Sequence, residues 1–315
     1  MIDHLLSALA GFGAQLVDGA LGMGYGITAT SLLLTAGFAP ALASASVNFA
    51  QLGTTLTSGA SHWRVGNVDW RIVRRLALPG GIGSLVGAMV LSSLSTAAAR
   101  PVMAVLLIVL GAGVILRFAT RRPGSQPAGA AWAAQRRFLG PLGLVGGFVN
   151  ATGGGGWGPV VTSALLSTGP VPPRKVIGSV SASEFVVTVC ASVGFVLGLG
   201  LTGLQWGTIL ALMLGGVLAA PIAALLAGRL PAQILGVTVG TLIVALNLGP
   251  ALAVIGVAGP LAQLLHLVTI AGCLVLVAIT ATRHAVAVRR GDVVVSDREE
   301  SEPASSARPL NEPVG

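Results

Sequence analysis

Read as a pattern of hydrophobic and polar positions, the chain alternates long apolar runs with short polar breaks. Seven runs approach the roughly 20 residues that a bilayer-spanning helix needs. They predict full-length helices at about Pro40–Ser61, Ile72–Leu94, Pro101–Phe118, Lys175–Leu199, Gln205–Ala227, Pro231–Leu248 and Leu261–Arg283. Two other apolar regions are interrupted. Each has two arms of about 13 residues around a Gly-rich centre: Leu5–Val17 and Tyr25–Ala36, then Phe138–Val149 and Trp157–Thr168. One such arm is too short to span, so each pair is either a single broken spanning helix or a re-entrant hairpin.

The two interrupted regions correspond to each other. An offset of 132 positions sets Asp18 on Asn150, Gly22 on Gly154, Gly24 on Gly156, Tyr25 on Trp157 and Gly26 on Gly158. Ser31, Gly37 and Pro40 then meet Ser163, Gly169 and Pro172. After one residue of slippage, Ser46 and Val47 match Ser179 and Val180, Gln51 matches Glu184, and Thr55 matches Thr188. Glycine matches alone would carry little weight in so Gly-rich a chain. Ordered agreement of aromatic, Ser and Pro positions as well points to an internal duplication, a common plan of secondary transporters.

Composition and charge settle how the repeats cross. With 54% hydrophobic and 9% charged residues, a soluble globular domain is excluded. The net charge of +8 comes from Arg in short loops and reads as a topology signal rather than a nucleic-acid surface. If the interrupted regions span, the 18 basic residues divide evenly between the two faces, against the positive-inside rule. If they are re-entrant, Arg64, Arg71, Arg74, Arg75, Arg117, Arg121, Arg122, Arg136, Arg137, Arg174, Lys175, Arg229 and the C-terminal basic residues share one face, with only Arg100 opposite.

The expected fold is therefore an all-α polytopic membrane protein of two inverted repeats. Each repeat is a re-entrant helical hairpin plus three transmembrane helices, and one additional C-terminal transmembrane helix follows. The first repeat is residues 1–120, a cytoplasmic linker 121–137, the second repeat 138–250, the final helix 251–290 and a disordered cytoplasmic tail 291–315. The N-terminus is expected outside and the C-terminus in the cytoplasm. The N-terminal "MIDHLLSALAGFGA" lacks the basic region of a secretory signal and reads as mature protein.

Irregular backbone at membrane depth survives only where protein or a water-lined cavity satisfies its polar groups. Glycine lets a ligand approach the main chain, and a helix beginning just afterwards offers unpaired N–H donors at the positive end of its dipole. Two such ends near the bilayer centre would hold an anion, and Pro159 falls in the first turn of the second of these helices, where its missing N–H costs little. Gly80, Gly81, Gly83 and Gly87 are read instead as close helix packing. "GGGGWGPV" lacks the Lys and Ser/Thr of a nucleotide-binding loop, and "GYG" occurs without the fourfold set that an ion filter needs.

Two carboxylates lie within apolar segments, Asp18 and Glu184. Membrane-embedded ionisable groups are functional candidates by default. Asp18 either faces the substrate or caps the helix starting near Tyr25. Glu184 is either a neutral group satisfied by Ser179, Ser181 or Ser183, or a proton carrier; the matching helix supplies Asn48 and Gln51. The expected substrate site is Asp18, Gly22, Gly24, Tyr25, Gly26, Asn48 and Gln51, with Asn150, Gly154, Gly155, Gly156, Trp157, Ser181 and Glu184.

Trp63 and Trp70, with Arg71, Arg74 and Arg75, read as interfacial anchors, as does His62. Cys190 and Cys273 are small packing residues, and no disulfide, cofactor, metal site or catalytic residue is expected. The membrane region has no HExxH, paired catalytic carboxylates, Cys/His pair or Ser–His couple, so an enzyme is not expected.

The stretches "GFGAQLVDGALGMGYGITATSLLLTAGFAP", "SHWRVGNVDW" and "GGFVNATGGGGWGPVVTSALL" resemble the TauE/SafE family of bacterial sulfite exporters, over about Ala10 to Leu248. The first motif departs from the family's plainer Gly-Gly-Gly pattern at Met23 and Tyr25. The resemblance implies a multi-pass inner-membrane carrier of sulfur-containing anions such as sulfite, thiosulfate or organosulfonates, with export as the default direction. Its partners would be that small anion, the lipid bilayer and protons, without nucleic acid. An anion channel on the same scaffold is the alternative.

Overall fold

A computed structural model describes residues 2–21, 23–120, 131–168, 171, 173–227, 232–257 and 259–289. The helices in order are α1 (Ile2–Leu21), α2 (Tyr25–Thr35), α3 (Pro40–Arg64), α4 (Trp70–Ser93), α5 (Thr96–Thr120), α6 (Ala131–Gly153), α7 (Ser163–Thr168), α8 (Pro173–Leu199), α9 (Trp206–Ala227), α10 (Ala232–Val254) and α11 (Gly259–Arg289). A π-helical turn, Gly158–Thr162, leads into α7. No strand occurs among the described residues.

Every predicted full-length helix is present, with ends shifted by a few residues. The first arm of each interrupted region is longer than the hydrophobic pattern indicates. Helix α1 has 20 residues and α6 has 23, against arms of about 13 expected, and neither is among the described helices apolar and long enough to cross a bilayer. In α1 the helix continues through Asp18, whose carboxylate finds a partner in the next segment. In α6 the Ala-rich "AWAAQ" favours helix upstream of the apolar run. Most of the expected linker, Gly22 and the C-terminal tail lie outside the described residues.

Five described helices are apolar and long enough to cross a bilayer: α4, α5, α8, α10 and α11. Helix α3 is absent from that set because it carries Ser44, Ser46, Asn48, Gln51, Thr54 and Thr55. In α9 the qualifying apolar stretch is the shorter Trp206–Ala219.

Each interrupted region folds back on itself. The start of α1 and the end of α2 share a hollow lined by Leu6, Ser7, Ala10, Leu33 and Ala36. In the second region, Gly146 of α6 faces Val161 and Gly156 faces Val149. The packing partners are exchanged between the two halves. Helix α1 lies on α9, where Gly11 meets the Leu212 backbone and His4 meets Gly207. Helix α6 lies on α4, where Gly143 meets the Leu76 backbone and Gly147 meets Gly80.

The contacts also fix relative directions. Helices α1 and α3 both run parallel to α9, since Phe49 meets Trp206 edge to face and Gly53 faces Met213. Helices α3 and α8 are antiparallel: Gln51 meets Glu184, Gly59 faces Ala182 and Asn67 reaches Gly178. Helices α5 and α10 are antiparallel as well, with Gly111 on Gly240 and Phe118 on Gly236. The pairs α3 with α8 and α5 with α10 thus run in opposite senses.

Candidate functional site

The tips of the two hairpins touch. Gly26 and Gly155 meet backbone to backbone: a Cβ added at Gly26 would lie 2.2 Å from the Gly155 Cα, and one at Gly155 would lie 2.1 Å from the Gly26 Cα. Gly155 also has φ of 134°, a conformation that glycine tolerates and side chains strain. Across the same contact, Thr30 Oγ1 donates to the Gly154 carbonyl at 2.8 Å.

Both tips carry the same cap. The Asp18 carboxylate accepts the Tyr25 N–H at 3.2 Å, and the Asn150 side-chain oxygen accepts the Trp157 N–H at 3.2 Å. These residues match under the 132-residue offset, so one polar side chain in each half satisfies the first amide of the returning segment. Further along, Asn247 of α10 donates to Ser31, while Arg117 of α5 donates to the matching Ser163.

Beneath the first tip, α1, α2, α3 and α8 enclose a polar cavity of about 200 Å³. Its walls are Gln15 and Asp18 of α1, Tyr25 of α2, the stripe Gln51, Thr54, Thr55, Ser58 and His62 of α3, and Ile177, Ser181 and Glu184 of α8. The α3 residues recur every three or four positions, which places them on one helix face. Gln51 Nε2 donates to Glu184 Oε1 at 3.3 Å, joining the two halves across the cavity. Tyr25 donates its hydroxyl to the Leu212 carbonyl, while Thr54 and Thr55 donate to the Gln51 carbonyl.

Several polar groups here are unspent. Gln15 Oε1, Gln51 Oε1 and His62 Nδ1 are buried without a hydrogen-bond partner. Buried polar atoms are ordinarily paired, so three such atoms around one hollow mark a place for water or a polar guest. The volume lies below the roughly 300–1,000 Å³ of drug-sized pockets, which suits a small ligand. Among the described residues no Lys or Arg lines the walls.

Of the expected site residues, the structure brings Asp18, Tyr25, Gln51, Ser181 and Glu184 together at this cavity. Gly26, Gly154 and Gly155 instead form the tip contact. Gly24 takes φ of 118° at the turn into α2, and Gly156 packs against Val149 and Leu110. Asn48 and Asn150 form a separate buried cluster, in which Asn150 Nδ2 donates to Asn48 Oδ1 at 3.0 Å and Ser44 donates to the Ala151 carbonyl. The Trp157 indole is buried and donates to the Val180 carbonyl at 3.2 Å. Gln15, Thr54, Thr55, Ser58 and Ile177 were absent from the sequence-based set, and His62 was placed at the cytoplasmic mouth as an anchor rather than in the site. The helical spacing of the α3 hydroxyls was the available signal.

Under the 132-residue offset and its one-residue slippage, several cavity residues meet buried positions. His62, Ser58 and Thr54 correspond to Phe195, Ala191 and Val187, Tyr25 to Trp157, and Asp18 to Asn150; all five counterparts are 0% exposed. The residues of the first set line a polar hollow, whereas these five counterparts are packed. The hollow extends along α3 from Gln51 to His62.

Residues 7–249 match the family described as sulfite exporter TauE/SafE. The probable membrane transporter protein YtnM of Bacillus subtilis (strain 168) is 45% identical over 203 residues, covering 64% of this chain and 67% of that protein. No solved structure matches the chain significantly.

Proposed function

The chain belongs to the TauE/SafE sulfite exporter family, and from that premise we propose that this multi-pass membrane transporter exports small sulfur-containing anions, such as sulfite, thiosulfate or organosulfonates, by proton-coupled alternating access. The carrying observation is the cavity where Asp18 and Gln51 of the first half meet Ser181 and Glu184 of the second. A site shared between two repeats and reached by broken helices is the usual arrangement of secondary carriers.

In this reading the two hairpins are re-entrant and enter from opposite leaflets, and the repeats are inverted. The shared direction of α1, α3 and α9 supports this, as does the opposite running of α3 against α8 and of α5 against α10. With the Arg-rich ends in the cytoplasm, the cavity is open inward and its packed counterpart closes the outer side. Transport exchanges the two arrangements.

The chemistry of the walls supports coupling to a proton. An oxyanion entering a site with two carboxylates and no lining Lys or Arg meets repulsion that low dielectric strengthens. A proton on Glu184 removes one negative charge and converts an acceptor into an O–H donor for the guest. Ser58, Ser181 and Gln15 supply further neutral donors. Such a site holds its guest weakly and releases it.

Proteoliposomes loaded in turn with sulfite, thiosulfate, sulfoacetate, taurine and sulfate test the proposal. Saturable flux with counterflow for at least one sulfur anion is expected. Flux that rises linearly without counterflow would favour an anion channel, and absence of flux for all five would remove the assignment.

A further inference from the structure

We propose that the groove between α4 and α6 at Arg74, Arg75 and Arg137 is a binding site for an anionic phospholipid. The groove has a volume of about 540 Å³ and is lined by these arginines with Leu78, Pro79 and Gly140. It lies apart from the cavity under the first hairpin, and no residue is shared between the two.

Three observations converge on a lipid rather than a soluble anion. The first is charge. All three arginines are exposed, and among the described residues none is paired with a carboxylate; Arg74 Nε donates only to the Trp70 carbonyl, at 3.3 Å. Guanidinium groups match phosphate oxygens in a planar, two-point fashion. The second is depth. Trp70 is one turn from Arg74 and stands edge-on to Trp63 with ring centroids 6.5 Å apart, and exposed tryptophans of this kind mark the headgroup level.

The third observation is what continues from the groove. On α4 the residues Leu78, Ile82 and Val86, spaced by four, are 68%, 60% and 46% exposed. On α6 the residues Leu144 and Phe148 extend the line from Gly140 and are partly exposed. These two apolar stripes run side by side because α4 and α6 are parallel, and the floor between them is closed by backbone contact at Gly83 and Leu144. The result is a charged head position followed by an apolar track, the shape of a phospholipid with its acyl chain against the protein. A free phosphate would use only the first part. Basic pockets of this kind between transmembrane helices hold acidic headgroups.

The test uses the purified full chain in detergent, followed by thermal unfolding with added phosphatidylglycerol, phosphatidylcholine or inorganic phosphate. Phosphatidylglycerol is expected to raise the midpoint, phosphatidylcholine and phosphate to leave it unchanged, and the combined variant Arg74→Gln, Arg75→Gln, Arg137→Gln to lose the response. Arg100→Gln, which removes an arginine away from the groove, is expected to keep it. Equal stabilisation by phosphatidylcholine or by phosphate, or a response retained by the combined variant, would overturn the site. If the combined variant does not fold, lipid titration of Arg75→Gln and Arg137→Gln singly carries the decision. Each is expected to weaken phosphatidylglycerol binding by about fivefold, and unchanged affinity in both would overturn the proposal.

Discussion

Replacing Gly26 by Ala tests the contact on which the hairpin arrangement rests. The new methyl would sit 2.2 Å from the Gly155 Cα and 2.6 Å from the Gly154 carbonyl oxygen. Carbon atoms in contact prefer a separation of at least about 3.5 Å, so the two tips must part by about 1.3 Å. Neither obstacle is a side chain that can turn aside, because both are backbone. Overpacking of this sort costs about 1–3 kcal/mol, and parting the tips also strains the hydrogen bond from Thr30 to Gly154. Gly13→Ala is the matched control: it has nothing within 4 Å of the added atom and lies inside α1. Alanine is favoured over glycine in a helix by about 1 kcal/mol, so that variant should unfold no earlier than the parent. Thermal or denaturant unfolding in detergent reads both. A Gly26→Ala protein as stable as the Gly13→Ala control would show that the tips do not touch, and the inverted-hairpin reading would lose its main support.

Three further perturbations address separate parts of the site. Asp18→Asn should keep the cap on Tyr25, as Asn150 does on Trp157, whereas Asp18→Ala should lose about 1 kcal/mol of stability; equal unfolding midpoints for the two would contradict the capping role. Trp157→Ala should destabilise by about 3–5 kcal/mol, measured against denaturant, because it empties a fully buried position and removes the indole hydrogen bond to the Val180 carbonyl; a loss below about 1 kcal/mol would show that this position is not packed. Cysteines placed at Ser58 and His62 should react with a polar thiol reagent while those at Ala191 and Phe195 stay protected, and equal labelling would refute the one-sided opening.

Much of the fold could be read from the chain, for identifiable reasons. Seven long helices announced themselves because burial in lipid demands continuous apolar runs, and the matched positions Asp18 and Asn150 cap Tyr25 and Trp157 alike. The lengths of α1 and α6 were hidden. Their extra turns contain Asp18 and the Arg136–Arg137 pair, which an apolar pattern treats as boundaries although a helix can carry them. At the site, charge was informative: Asp18 and Glu184 stand out in any membrane segment. The glycines were ambiguous, since a residue without Cβ serves a ligand and a neighbouring backbone equally well, and only the folded chain sets Gly26 against Gly155. The hydroxyls of Thr54, Thr55 and Ser58 were overlooked because Ser and Thr are common packing residues in membrane helices, and only their shared face distinguishes them.

The central claim is that the anion and a proton share the cavity of Glu184, and flux as a function of pH tests it most directly. Glu184→Gln keeps an oxygen that can accept the hydrogen bond from Gln51, observed at 3.3 Å, but cannot exchange a proton. In proteoliposomes the parent protein should transport its sulfur anion at a rate that changes with pH. The variant should still be thermally stabilised by that anion while its flux becomes insensitive to pH. A variant whose pH profile coincides with that of the parent would contradict the account.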